Sequence, residues 1–452
     1  MEAVNALDPV AEKQHKLDIS AWTMYDWANS TFATTMMAAV LPVYYATLGA
    51  ASDSPAMMTS RWGFTTALAA LIAAVISPVL GAIADFRGSK KKFLAAFMLL
   101  GVISTALLFI PNQPGDWLLA SFIFVFANIG FAGSLVYYDA LLPHGARADE
   151  IDQVSSRGYM MGYIGGGILL AVNLVMIMFI PTLFPVDQVS AMTGLMTRLC
   201  FVTVAIWWFV FTLPLLRHVP EPVRKIKPEE EGMHPVQASF ARIGQVFKDI
   251  KHYPDLGLFL LAFWIYANGI GTIITMATVY GAEIGIGNTV LIGTLLMVQF
   301  LAAPFAILFG KLAEKIGAKK AIFLALAVYA VISIFGFFLQ HAWQFIALGA
   351  GVATVQGGSQ ALSRSIMAKL MPKSKSAEFF GFFSVFEKFA NILGPFLFGI
   401  VSTIMGHSRL SIVSLIIFFS VGAYLLSKVD IERGMEAAAR EEALMVHEPV
   451  VS

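Results

Sequence analysis

Apolar stretches of about twenty residues recur along nearly the whole chain, the length an α-helix needs to cross a hydrocarbon core about 30 Å thick at 1.5 Å per residue. Twelve can be marked, at approximately 21–48, 61–84, 93–111, 117–142, 157–181, 198–217, 255–283, 289–313, 320–339, 343–371, 378–404 and 409–427. Lipid offers no partner to a backbone N–H or C=O, so each span must satisfy its own, and the chain reads as an all-α membrane protein of about twelve transmembrane helices. Hydrophobic residues make up 58% of it and charged residues 13%, against about 25% charged in a water-soluble domain, which has no way to hide such a surplus. The first span is too long for a signal-peptide core and follows mixed charges (Asp8, Glu12, Lys13, Lys16, Asp18), so it is expected to be retained.

Lysine and arginine gather on the cytoplasmic side of membrane proteins. Alternate loops, starting with the amino terminus, hold 25 of the 30 basic residues, and the opposite set holds only Arg61, Arg198 and Arg409. Both termini are therefore expected in the cytoplasm. The compact topology and the lack of an organelle address point to a bacterial cytoplasmic membrane, although a vacuolar membrane fits the same spans. A net charge of +1 spread over short loops gives no reason to expect nucleic acid. The single Cys200 cannot form an internal disulfide.

The longest polar break divides six spans from six. It suggests a first bundle over 1–217, a linker over 218–254, a second bundle over 255–428 and a tail over 429–452. Phe240, Ile243, Val246, Phe247 and Ile250 of the linker suit either a plain connector or a short amphipathic helix on the inner membrane face. The polar tail from Ile431 to Ala443 is expected to be a frayed helix.

Two echoes relate the halves. Gly81-Ala-Ile-Ala-Asp85-Phe-Arg87-Gly88-Ser-Lys90-Lys91 follows the second span, and Gly310-Lys-Leu-Ala-Glu314-Lys-Ile-Gly317-Ala-Lys319-Lys320 follows the eighth. Trp27-Ala28-Asn29-Ser30 in the first span is matched by Tyr266-Ala267-Asn268-Gly269 in the seventh. A glycine permits close helix approach, an acid is expected where the next helix presents its positive amino-terminal end, and lysines hold a loop at the headgroups, so the first block reads as a structural or gating contact.

That block resembles the loop signature of the major facilitator superfamily, Gly-x-x-x-Asp-Arg-x-Gly-Arg-Lys. The resemblance implies two pseudo-symmetric six-helix bundles rocking about a central site. Gly81, Asp85, Gly88 and Lys90 match, whereas Phe86 and Ser89 replace arginines, which puts the charge pairing of Asp85 in question and makes Arg87 a substitute. Tyr25-Asp26-Trp27-Ala28-Asn29-Ser30, Tyr138-Asp139-Ala140-Leu141-Leu142-Pro143, Gly357 to Ser365, and Ala377-Glu378-Phe379-Phe380-Gly381 with Gly394-Pro395 are similar to the UMF1 branch, related to vacuolar amino-acid effluxers of the Atg22 type. That resemblance implies export of amino acids or similar metabolites.

Polar groups at membrane depth are the site candidates, because a charge near the bilayer centre costs at least about 2.5–3.5 kcal/mol. Gln356, Gln360, Ser363, Arg364 and Met367 form one stripe of the tenth span. Arg364 suits either a substrate carboxylate or an ion pair with Asp139 or Glu387. Asp26, near the expected start of the first span, reads as a proton carrier or an interfacial partner, and Asn29 and Asn268 as solute hydrogen-bonding groups or interhelical contacts. Ser384, Glu387, Lys388 and Asn391 share a face of the eleventh span, where Glu387 competes with Asp26 as the coupling acid. Asn128 and Asp139 share a stripe of the fourth, with Asp139 assigned to the inner gate. Gly158, Gly162, Gly165, Gly166 and Gly167 predict a close, sliding seam.

No phosphate-binding loop and no His-Glu-x-x-His occurs, so an ATP-driven pump and a zinc protease of that class are not expected, nor is any other enzyme, metal or cofactor. The expected partners are a small solute, protons and the bilayer, and nothing asks for more than a monomer. A proton-coupled secondary transporter working by alternating access and exporting amino acids or a related carboxylated metabolite is the leading reading. A lipid or drug exporter and a non-transporting scaffold or receptor remain as alternatives.

Overall fold

The computed structural model describes residues 9–50, 53, 55–223, 225–226, 253–405, 409–443 and 446–447. Every expected span coincides with helix. The first half holds α1 (Pro9–Thr31), which continues through a π-helical stretch, Phe32–Ala39, into α2 (Leu41–Thr47), then α3 (Pro55–Arg87), α4 (Lys90–Leu107), α5 (Trp117–Gly145), α6 (Ile151–Phe179) and α7 (Val189–His218). The second half holds α8 (Pro254–Glu283), α9 (Asn288–Ile316), α10 (Ala318–Phe337), α11 (Ala342–Leu370), α12 (Ser376–Met405) and a last span in two pieces, α13 (Arg409–Ser414) and α14 (Ile416–Lys428). Helix α15 (Ile431–Ala443) follows, and the two-residue strands β1 (Lys225–Ile226) and β2 (Val446–His447) pair antiparallel. The amphipathic segment around 240–251 lies outside the described residues.

Eight of the described segments, Trp117–Gly145 and Ala318–Phe337 among them, are long and apolar enough to cross a membrane on those two properties alone. The remainder carry polarity that their sequences make plain. Helix α4 opens on Lys90, Lys91 and Lys92, α11 holds the polar stripe, and α12 holds Glu378, Glu387 and Lys388.

Helix α1 begins at Pro9 rather than near residue 21. After Pro9 it has no glycine or proline to stop it. Its polar first turns are tied down by Glu12, which accepts a 2.6 Å bond from Arg147, and by His15, 2.5 Å from Glu150. Asp26 therefore lies well inside the helix rather than near its start, and the cation it meets is Arg364 of the second half rather than a loop lysine.

Glycines set the closest crossings. Gly101 of α4 and Gly130 of α5 face each other backbone to backbone. The glycine run of α6 forms the seam with α1, where Gly162 covers Ser30, Gly165 covers Trp27 and Gly166 covers Thr34. The two halves meet along α3 with α12 and along α6 with α9.

One end of the molecule collects the loops rich in lysine and arginine, together with α15. There the Lys91 N–H donates to Glu221 at 3.0 Å, and Lys319 donates to the carbonyls of Ser427 and Val429 at 2.9 and 2.6 Å. Arg433 grips Asp255 with bonds of 2.6 and 2.7 Å, and Ser374 donates to Glu442 at 2.9 and 2.8 Å. The tail helix is thus docked rather than frayed. At this basic end the hydrogen bond from Arg147 holds the Glu12 carboxyl below its ordinary range, whereas burial raises that of Glu221.

Candidate functional site

Met371, preceding Pro372, is extended (ψ 150°) and ends α11, since proline disfavours helical backbone in the residue before it. Arg364 is thereby held within the last two turns of the helix and is only 3% exposed. Its Nε donates to Ser155 Oγ at 2.9 Å. Its Nη2 donates to the Ser155 carbonyl at 2.8 Å and to Asp26 Oδ2 at 3.1 Å. Nη1 donates to Asp26 Oδ2 at 3.1 Å and to Asp139 Oδ1 at 3.2 Å. A guanidinium has five N–H donors, and all five are spent on α1, α5 and α6 of the other half. Tyr138 donates its hydroxyl to Asp26 at 2.7 Å, and the rings of Tyr159, Trp22 and Tyr138 lie 4.4, 5.0 and 5.5 Å from the guanidinium carbon. Gly158 leaves the room, because a methyl there would strike the Asp26 carboxylate and come within 2.8 Å of Arg364.

Two carboxylates and one guanidinium leave this buried cluster with a formal charge of −1. Removing one partner of a buried ion pair typically costs about 3–5 kcal/mol, because the other is left uncompensated. The cluster therefore ties the two halves together, an ionic lock in the geometric sense, and one proton would neutralise its formal charge.

Two further contacts close the same end. Asp85, 2% exposed, pairs with Lys90 at 2.6 Å and accepts the N–H of Glu378, in the first turn of α12, at 2.8 Å. Gly81 lets α3 come this near, since a methyl there would collide with the Ala377 carbonyl. Lys90 thus supplies the pairing that Phe86 and Ser89 put in question, and the side chain of Arg87 lies outside the described ones. On the other seam Asp152 accepts from Lys369 at 2.6 Å and from Ser365, and Gly310 packs against Ser156. Glu314 is exposed, and Gly88 and Gly317 hold positive φ values of 60° and 87° in the turns.

Beyond the lock lies a cleft with about 520 Å³ of free space, part of it open solvent. Tyr159 forms its floor toward Arg364. The walls include Tyr266, Gln360, Ser363, Phe383 and Glu387. Tyr163 donates to Gln360 at 2.8 Å, and the hydroxyls of Tyr266 and Ser363 are 2.6 Å apart. Glu387 is exposed despite its place in the middle of a spanning helix. Of the remaining candidates, Gln356 and Lys388 are half-buried, and the side chain of Asn391 lies outside the described ones. Asn29, Asn128 and Asn268 are buried within their bundles, at 2%, 5% and 0% exposure. Asn268 donates to the Trp264 carbonyl of its own helix at 2.6 Å.

Sequence reasoning missed Ser155, Tyr159 and Tyr163, and it missed Asp152 with Ser365 and Lys369. The first three fall at i, i+4 and i+8 of α6, a polar stripe of the kind recognised in the tenth span, but the glycines beside it drew attention to packing instead.

The family model described as vacuole effluxer Atg22 like matches residues 55–439. The chain is 39% identical over 427 residues to the uncharacterized MFS-type transporter YxiO of Bacillus subtilis (strain 168), covering 94% of this chain and 97% of that protein. It is 23% identical over 467 residues to autophagy-related protein 22 of Yarrowia lipolytica, covering 83% and 76%. Among solved structures, the major facilitator superfamily transporter FucP in the outward conformation superposes with a TM-score of 0.68 at 11% identity, covering 92% of this chain and 98% of that one.

Proposed function

This chain belongs to the vacuole effluxer Atg22-like family of major facilitator superfamily transporters, which are not enzymes, and we propose that it is a proton-coupled secondary transporter exporting amino acids or a related small carboxylated metabolite by alternating access. What carries the reading is that all five Arg364 N–H groups bind the opposite half at the basic end, while the cleft with its exposed Glu387 lies beyond that lock. The basic end faces the cytoplasm by the positive-inside rule, so this conformation has its inner side closed. Both termini are cytoplasmic, in a bacterial cytoplasmic membrane. The working units are residues 1–217 and 255–428, joined by 218–254 and followed by the tail over 429–452.

The transport cycle follows from the charge of the lock. A proton arriving on Asp26 or Asp139 brings the cluster from −1 to neutral and takes an acceptor from Arg364, so the halves part at the basic end. Glu387 is the acid in the cleft that such a proton meets on entry from the far side. Gln360 and Ser363, on the cleft wall, offer the solute hydrogen bonds. Asn29, Asn128 and Asn268, buried within their bundles, do not line this cleft.

The test is reconstitution in liposomes with an imposed pH gradient and a pooled set of amino acids. Gradient-driven flux of at least one solute is expected, falling to background in Arg364→Gln and becoming independent of the gradient in Asp139→Asn, which imitates the neutral lock. Absence of flux from folded wild-type protein in either direction overturns the reading.

A further inference from the structure

Among the described residues that line the cleft, Glu387 is the one with a formal charge. Eleven residues of helix rise from Ser376 put it roughly 16 Å into α12, about half the thickness of a hydrocarbon core. A carboxylate held and exposed at that depth is costly to insert, which marks it as a recognition group rather than filler.

The walls around it are aromatic and apolar. Phe263 and Phe383 stack at 4.2 Å, Tyr266 stands edge-on to Phe263 at 5.6 Å, and Ala267, Ile270 and Ile274 extend the surface. Aromatic faces attract cations. The nearby cation that would suit an anionic solute, Arg364, has every donor committed to the lock and lies behind the Tyr159 ring. Lys388 is adjacent to Glu387 in sequence, which turns it about 100° around the helix, and it does not line the cleft. The charges facing this region from α1, α5, α11 and α12 are Asp26, Asp139, Arg364 and Glu387, a net −2, or −1 with Lys388 included. Either sum gives a negative field, which concentrates cations.

We propose that the cleft recognises its solute by an ammonium group held at Glu387 within the ring wall of Phe263, Tyr266 and Phe383, with an apolar body lying along α8, and that a carboxylate on the solute adds no affinity in this conformation. This rests on the cleft being the solute site and goes further by naming the pole it reads.

The experiment uses the full chain in lipid nanodiscs without a gradient. Three probes with one phenyl body are compared by calorimetry: 2-phenylethylammonium, phenylalanine and 3-phenylpropionate. The amine is expected to bind at least as tightly as the amino acid, and the acid at least about tenfold more weakly. Glu387→Gln is expected to weaken the amine by about tenfold or more, while Glu387→Asp, which keeps the charge, retains most of the affinity. The order of the probes on the wild type decides the matter if the Gln variant fails to fold. An acid that binds more tightly than the amine overturns the proposal, as does a folded Gln variant with unchanged amine affinity. So does wild-type protein that binds no ammonium probe at concentrations on the order of 10 mM. Amine binding without gradient-driven flux would remove the transport reading and leave this assignment standing. Flux without preference for the ammonium pole would do the reverse.

Discussion

The two halves carry the same block, Gly81 to Lys91 and Gly310 to Lys320, and use it differently. Both leading glycines lie on the seam with the opposite half, Gly81 against Ala377 and Gly310 against Ser156, and both second glycines take a positive φ. The charges part company. Asp85 and Lys90 form a buried pair that also captures the Glu378 N–H, whereas Glu314 is exposed and Lys319 caps the carbonyls ending α14. The difference lies in what each block faces. Helix α12 points its positive amino-terminal end at Asp85, and an acid stabilises such an end. Helix α6 carries its own acid in its first turn, Asp152, already committed to Lys369 and Ser365. The shared block therefore fixes backbone and approach distance, while the opposing helix decides where the charge goes.

The sharpest way to break this comparison is to remove the acids. Asp85→Ala takes from Lys90, 3% exposed, the carboxylate it pairs with and from the Glu378 N–H the acceptor it donates to. The expected loss is about 3–5 kcal/mol, read as a large fall in apparent melting temperature. Glu314→Ala removes an exposed side chain and should stay within about 0.5 kcal/mol of wild type. Equal losses would mean that the two acids do the same work and that the asymmetry is wrong.

The glycines on the seam come next. A methyl at position 81 meets the Ala377 backbone, its carbonyl carbon at 2.7 Å and its oxygen closer still, whereas at position 310 it meets Ser156, whose hydroxyl at 2.7 Å can swing aside and whose Cβ at 2.9 Å leaves only a small shift to be made by the helix. Gly81→Ala should lose stability near the upper end of about 1–3 kcal/mol and Gly310→Ala near the lower end. The reverse order in melting experiments would show that α3, not α9, sits in the more pliable seam.

Much of this was legible in the sequence, because membrane helices are written in long apolar runs and loop topology in the alternation of lysine and arginine. The pairing of Asp85 with a helix amino terminus was also legible as chemistry, since glycine, acid and lysine at fixed spacing have few uses. The helix that supplies the terminus was not: the sequence suggests the next helix in the chain, whereas the N–H that Asp85 accepts belongs to Glu378 of α12, almost 300 residues away. Arg364 shows the same division. Its place on a polar stripe is a matter of helical period. That its five donors all go to Asp26, Asp139 and Ser155 depends on how two bundles meet, and no local pattern encodes that.

The smallest effect reverses the direction of the comparison. Gly317 has φ 87° and ψ 144°, a region that essentially only glycine enters, while Gly88 has φ 60°, a value that asparagine also adopts. Asparagine tolerates the left-handed well because its short side chain bonds locally, but a Cβ at the angles of Gly317 is strained whatever the side chain does. Gly317→Asn is therefore expected to lower stability by about 1–2 kcal/mol, and Gly88→Asn by less than about 1 kcal/mol. If thermal unfolding finds Gly88→Asn the more damaging, the turn after α3 is constrained by the Asp85–Lys90 pair it carries rather than by its own backbone, and the two blocks differ even where their dihedral angles suggest likeness.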